Sequence, residues 1–306
     1  MHLAATTLPV RRPFSTTTSL PLMVAAFCVL WSSAFAVAKM ALADCPPLLL
    51  LTARFLAAGV LVLAVALLSR RPWTLTRRDV LLFAALGVAN QALYLGLGYV
   101  GLREISAGLS TVIASSNPIV IAILAVPLLG ERMTWRKLVG LLLGFGGVVF
   151  IVSNRLSLGT ESLRGILFTI AALLSLVGGT ILFKLFAPKD GFWIGNGVQS
   201  LAAGVASLPF ALGFESVSDV VPSWRLLAAL AYLVLAVSAF AYLLWFQILK
   251  ISGATAASSY HFLMPPLGML FGWLLLGEHV APSDLLGIVP VVMGIYLVTR
   301  SASIRV

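Results

Sequence analysis

Residues 118–131 read PIVIAILAVPLLGE and residues 265–278 read PPLGMLFGWLLLGE. Both stretches open on proline and close on Leu-Leu-Gly-Glu, and they stand 147 positions apart. The same shift, carried outward, aligns Leu102–Ser153 with Leu249–Arg300 without a gap. Leu102, Ala107, Pro118, Leu128, Leu129, Gly130, Glu131, Leu138, Gly140 and Gly147 meet Leu249, Ala254, Pro265, Leu275, Leu276, Gly277, Glu278, Leu285, Gly287 and Gly294. Matching leucines in an apolar chain would mean little. A proline, a Gly-Glu pair and two further glycines in one order are not reproduced by chance composition, and they mark an internal repeat.

The sequence around the repeat is that of a membrane protein. Sixty per cent of the 306 residues are hydrophobic and 10% charged, against roughly 25% charged in soluble domains, and mean hydropathy is +1.07. Long apolar runs without period-2 alternation select helices over a barrel, because a span must satisfy its own backbone groups. Apolar windows predict ten spans, near 22–42, 48–68, 80–101, 107–129, 137–153, 163–185, 194–213, 226–247, 255–276 and 284–299. The predicted fold is therefore an all-α membrane protein with ten transmembrane helices. An N-terminal tail (1–21) precedes one five-helix unit (22–153) and a second (163–300). Five is odd, so the second unit enters the bilayer upside down, giving two inverted five-helix repeats with a binding site where they meet near the midplane.

With both termini on the cytoplasmic side, 14 of the 20 basic residues fall inside, as the positive-inside rule requires. The chain is expected in the cell inner membrane, multi-pass. A net charge of +10 raises nucleic acid as a partner, but the basic residues lie scattered between apolar segments, which argues against it. Arg11 and Arg12 before an apolar run resemble a signal peptide, but the run is of spanning length and others follow, so it reads as a retained first span. Cys28 and Cys45 read as packing residues, not as a disulfide framework.

The pattern Trp31-Ser32-Ser33-Ala34-Phe35, the Arg54-Phe55 pair, and the doubled Pro118…Gly130-Glu131 and Pro265…Gly277-Glu278 units resemble the EamA family of the drug/metabolite transporter superfamily. The resemblance covers nearly the whole chain. It implies ten helices in two inverted repeats and export of metabolites, with some members exporting aromatic and other neutral amino acids.

Polar side chains inside apolar spans are costly unless paired, and so mark candidate sites. Span three carries Asn90 and Gln91, with Tyr94 one turn after Asn90. Span four carries Ser115, Ser116 and Asn117 before Pro118, and span nine carries Ser258, Ser259, Tyr260 and His261 before Pro265. Spans four and nine are equivalent in the repeat, so these clusters are expected to face each other, with Pro118 and Pro265 as hinges. Trp31, Tyr242 and Trp245 would add aromatic walls, the usual make-up of a small-molecule pocket. Trp31, Asn90, Tyr94, Ser115, Asn117, Tyr242, Trp245, Tyr260 and His261 are the expected substrate-binding residues. The same serines and amides serve equally well as bonds between helices.

Lys39 and Arg54 read as snorkelling or helix-pairing residues. Glu131 and Glu278 read as structural carboxylates that accept from the first amides of the next helix. No carboxylate lies deep in a span, there is no phosphate loop, and no metal or nucleophile constellation appears, so neither cofactor nor catalysis is expected. The partners expected are a small-molecule substrate and the lipid bilayer, with the chain a monomer or weak homo-oligomer. The residues, together with what the resemblance implies, point to a secondary transporter exporting small metabolites, most readily neutral or aromatic amino acids, by alternating access. The alternatives are a carrier of nucleotide sugars or drug-like compounds, or a membrane-embedded enzyme.

Overall fold

The computed structural model describes residues 16–70, 72–102, 104, 113–114, 116–153, 162–277 and 282–300. Among them, seven helices are long and apolar enough to cross a membrane. They are α1 (Thr16–Ala41), α2 (Pro47–Leu68), α3 (Arg77–Gly101), α6 (Leu163–Phe186), α7 (Phe192–Phe214), α8 (Trp224–Ser252) and α9 (Ala254–Leu276). Three further apolar helices, α4 (Asn117–Leu129), α5 (Trp135–Ser153) and α10 (Pro282–Arg300), complete the described chain. Large apolar side chains point outward along these rods: Leu67, Leu68, Leu81, Leu163 and Phe214 are 70–82% exposed. Such a surface is untenable in water. The protein is a multi-pass membrane protein.

Local chemistry sets the helix ends. Thr76 and Asp79 form a capping box at α3, and the hydroxyls of Ser162 and Ser223 accept the amides of Gly165 and Leu226 at α6 and α8, satisfying amides that no helical carbonyl can reach. Gly130 and Gly277 end α4 and α9 with φ of 64° and 68°, a conformation glycine adopts without penalty.

These elements repeat at the spacing of the sequence motif. Arg77 and Trp224, each opening a helix behind a described cap, stand 147 residues apart. Asn117–Leu129 falls on Met264–Leu276, 13 residues each. A π-helical segment interrupts α3 at Val88–Leu93 and α8 at Leu233–Ala241, and 88–93 moved by 147 gives 235–240.

Where α5 and α10 pack, a Cβ on Gly140 would lie 2.7 Å from the Gly294 carbonyl oxygen, and one on Gly147 would lie 2.8 Å from that of Gly287. Residue numbers rise along one helix as they fall along the other, so the two run antiparallel. Gly140 and Gly287 are repeat-equivalent, and so are Gly147 and Gly294; each contact is thus the other with its partners exchanged. Small residues here let the backbones touch, which drives association where no hydrophobic effect operates between helices.

The two prolines expected as hinges lie at helix starts. Pro118 sits in the first turn of α4, where a missing N–H costs nothing. In α9 a short helix (Ala254–Ser259) passes through a 3₁₀ turn (Tyr260–Leu263) before a new helix opens at Met264, with Pro265 in its first turn. The prolines expected as hinges thus stand in the first turns of helices.

Candidate functional site

Five rings meet in the core. Phe27 and Trp31, one turn apart on α1, have centroids 5.1 Å apart, and Phe27 stacks on Trp245 of α8 at 5.3 Å. Trp31 meets Tyr242 of α8 at 5.0 Å, and Trp245 meets His261 of α9 edge-on at 4.9 Å. Offset and edge-on geometries of this kind stabilise aromatic pairs beyond their burial. His261 Nδ1 lies 3.1 Å from the Ser258 carbonyl; a carbonyl can only accept, so Nδ1 carries the proton. Four expected residues, Trp31, Tyr242, Trp245 and His261, therefore come together, with Phe27 added.

Beside this cluster lies a cavity of about 20 Å³, room for about one water. Trp31 and Phe35 of α1, Arg54 of α2, Tyr99 of α3, and Val237 and Tyr242 of α8 line it. Arg54 does not snorkel: it is 3% exposed and its Nε donates to Ser238 Oγ at 2.8 Å. Its position in the second turn of α2, facing α8, turns the guanidinium into the protein.

The other expected residues are placed differently. Asn90 sits in the π segment of α3, its carbonyl accepting from the Tyr242 hydroxyl at 3.2 Å, while its side chain presses on Gly179 of α6. The wider π turn, roughly one residue more per turn than an α-helix, offsets Asn90 from Tyr94, which is buried nearby but outside the lining of the cavity. Asn117 is buried, and neither its amide nitrogen nor its oxygen finds a partner among the described residues. Tyr260 is half-buried, its carbonyl facing Cys28 Sγ at 3.9 Å. Ser115 and Glu278 lie outside the described residues. The helices α4 and α9, expected to oppose each other, do pack together through Ala254–Ser259. Arg54, Tyr99 and Ser238 were missed as site residues; an arginine inside an apolar span was the available signal.

Both ends of the bundle are tied. At the end carrying the α1–α2 turn, Asp44 accepts from Ser223 at 2.6 Å and from Arg225 Nε at 2.8 Å, and Glu215 accepts the amides of Leu48 and Leu49 at 3.0 and 2.8 Å. Hydrogen bonds from Arg225 and Ser223 hold the Asp44 carboxyl at about 2, well below its ordinary 3.8. At the opposite end, Glu131 accepts from the Ala254 amide at 2.9 Å and Thr255 Oγ at 2.5 Å, with Lys137 at 3.4 Å. Glu131 thus serves the first amides of α9, where those of the adjacent α5 were expected. Burial raises its pKa, but the bonds from Thr255, Lys137 and Ala254 outweigh burial and hold it below the ordinary 4.5.

The sequence pattern of the EamA-like transporter family matches residues 19–153 and, separately, 163–300. The chain belongs to the EamA-like transporter family. As in the EamA relatives, it is a transporter, not an enzyme. It is 29% identical over 283 residues to an uncharacterized transporter, YvbV, of Bacillus subtilis (strain 168), covering 92% of each chain. It is 30% identical over 282 residues to the S-adenosylmethionine/S-adenosylhomocysteine transporter of Chlamydia trachomatis (serovar L2), covering 88% of this chain and 85% of that one. A solved crystal structure with 20% identity superposes at a TM-score of 0.77, covering 93% of this chain and 98% of that chain; at that identity the likeness is one of fold.

Proposed function

We propose that this EamA-family chain is an inner-membrane exporter of neutral or aromatic amino acids that works by alternating access. In this reading the chain has ten spans, both termini are cytoplasmic, and units 22–153 and 163–300 are inverted copies. The observation that carries it is the exchange-symmetric, antiparallel contact of α5 with α10 through Gly140, Gly147, Gly287 and Gly294. Helix bounds offset by 147 residues and the double match to the family pattern support the same arrangement.

Trp31, Tyr242, Trp245 and His261 form the substrate wall. Asn90, Tyr94, Ser115, Asn117 and Tyr260 complete the site when it opens, and Pro118 and Pro265 mark the joints about which α4 and α9 move. A cavity of about 20 Å³ admits no metabolite, so transport requires the helices around it to part. The S-adenosylmethionine/S-adenosylhomocysteine transporters lend the substrate class support, since both compounds join an α-amino-carboxylate to an aromatic base. Counterflow of labelled amino acids into proteoliposomes tests the reading. Exchange of phenylalanine or tryptophan that falls at least tenfold in Trp31→Ala or His261→Ala is expected; no exchange of any amino acid overturns it.

A further inference from the structure

A guanidinium carries five N–H donors and a permanent charge. Inside a span it persists only when paired or turned toward a water-filled cavity or pathway. Arg54 is 3% exposed, yet its partners, the Ser238 hydroxyl at 2.8 Å, the Tyr99 hydroxyl and the Phe55 ring at 5.1 Å, are all neutral. The described carboxylates that form ion pairs do so elsewhere, Asp44 with Arg225, Glu104 with Arg164 and Glu131 with Lys137. The guanidinium instead lines the cavity with Trp31, Tyr99 and Tyr242.

We propose that Arg54 is the anchor for a carboxylate on the transported molecule, which supplies the counter-charge that no described carboxylate provides. The planar fork matches a carboxylate in two parallel bonds, and Ser238 fixes its orientation through Nε. One guanidinium balances one negative charge, so a monoanionic carboxylate fits this site better than a doubly charged phosphate. Trp31 and Tyr242 belong both to the cavity and to the ring cluster. A ligand with its carboxylate on Arg54 therefore lays its apolar or aromatic remainder against those rings. The assignment rests on the transport reading and narrows its substrate to carboxylic acids, excluding the matching amides and decarboxylated amines.

The test uses thermal unfolding of the purified full chain in detergent, with phenylalanine against phenylalaninamide and benzoate against benzamide as probes. In wild type the two acids should raise the midpoint in a saturable way and the two amides should not. Arg54→Gln should weaken acid binding at least tenfold, while Arg54→Lys keeps the acid preference at lower affinity. If Arg54→Gln does not fold, Arg54→Lys and Ser238→Ala carry the test, each with a severalfold loss in acid affinity. The assignment is overturned if amides bind as well as acids, if the substituted proteins keep wild-type acid affinity, or if neither acid shifts wild type. Counterflow separates it from the transport reading. Acid-selective stabilisation without amino-acid exchange removes the proposed substrate and leaves the anchor; exchange with unchanged KM in Arg54→Gln removes the anchor alone.

Discussion

Adding a single methyl group at Gly140 should force α5 away from α10. Its Cβ would stand 2.7 Å from the Gly294 carbonyl oxygen and 2.9 Å from Val298 Cγ2, where ordinary contact begins near 3.4 Å. The shortfall of about 0.7 Å falls on backbone, which cannot rotate aside, so the helices must separate. Overpacking of this kind costs ~1–3 kcal/mol. Gly147→Ala meets the Gly287 carbonyl at 2.8 Å and should cost a similar amount. The two positions are seven residues, or ~10 Å, apart on one helix, and both press on the same partner. Once the first substitution has parted the helices the second meets less resistance, and the double variant should lose less than the sum. Gly146 is the control: nothing lies within 4 Å of its added Cβ, so Gly146→Ala should be neutral or stabilise by a few tenths of a kcal/mol. Thermal unfolding in detergent ranks the four proteins. If Gly140→Ala unfolds no earlier than Gly146→Ala, the close antiparallel crossing is refuted, and with it the main support for inversion.

Glu131→Gln removes the charge that holds Ala254, Thr255 and Lys137, and stability at neutral pH should fall by ~1–2 kcal/mol after allowance for solvent screening. Because the Glu131 carboxyl is held below 4.5, the wild-type advantage should be whole above that pH and shrink as pH falls through the lowered pKa; a gap independent of pH would contradict the ion-pair account. Asp44 is held at about 2 against 3.8, so the difference in unfolding midpoint between wild type and Asp44→Asn should be full above pH 4 and close between pH 4 and 2. Gly179→Ala would place a Cβ 1.9 Å from Asn90 Oδ1; it should destabilise by ~1–3 kcal/mol, and Asn90→Ala in the same chain should restore most of that loss in thermal unfolding. Tyr242→Phe loses the 3.2 Å bond to the Asn90 carbonyl and should cost ~1 kcal/mol or less, while a changed KM in counterflow would tie the hydroxyl to the substrate.

The periodic and local features of the fold were legible in the sequence. Apolar windows placed α1, α2 and α6 within a few residues and ended the fourth and ninth spans at 129 and 276, just before the left-handed Gly130 and Gly277. The contents of the cavity were not legible, for a physical reason. Which side of a span faces inward depends on neighbours that lie far away in sequence, and the π segments of α3 and α8 shift the register that a 3.6-residue period assumes. Tyr94 was expected with Asn90, and it is Tyr99 that reaches the cavity. Arg54 was read as either a snorkelling or a helix-pairing residue, because an isolated charge near the start of a span suits both; its bond to Ser238, 184 residues away, is the pairing. Glu131 was read correctly as a capping carboxylate but assigned to α5, since sequence proximity favours the nearest helix and the structure brings α9 closer.

The ties at the two ends give the proposed cycle its physical content. Asp44 with Ser223 and Arg225, and Glu215 with Leu48 and Leu49, join the two units at one end; Glu131 with Ala254 and Thr255 joins them at the other. Both sets are made at once, and the cavity has room for only about one water. A metabolite can enter only if one set opens while the other holds. The bonds are charge-assisted but lie at the ends of the bundle, where solvent screening keeps them weak enough to open, and a carboxylate on Arg54 with an aromatic face on Trp31 can offset their loss. Relative occupancy of the two open states then follows the difference between the ties. Weakening Asp44 alone should favour opening at the α1–α2 turn, and weakening Glu131 alone should favour the opposite end. Labelling of a single cysteine placed beside Trp31, after replacement of Cys28 and Cys45, would read that bias as a change in reagent access from each side of a sealed vesicle. Equal access in the two variants would mean that the ties do not govern the opening.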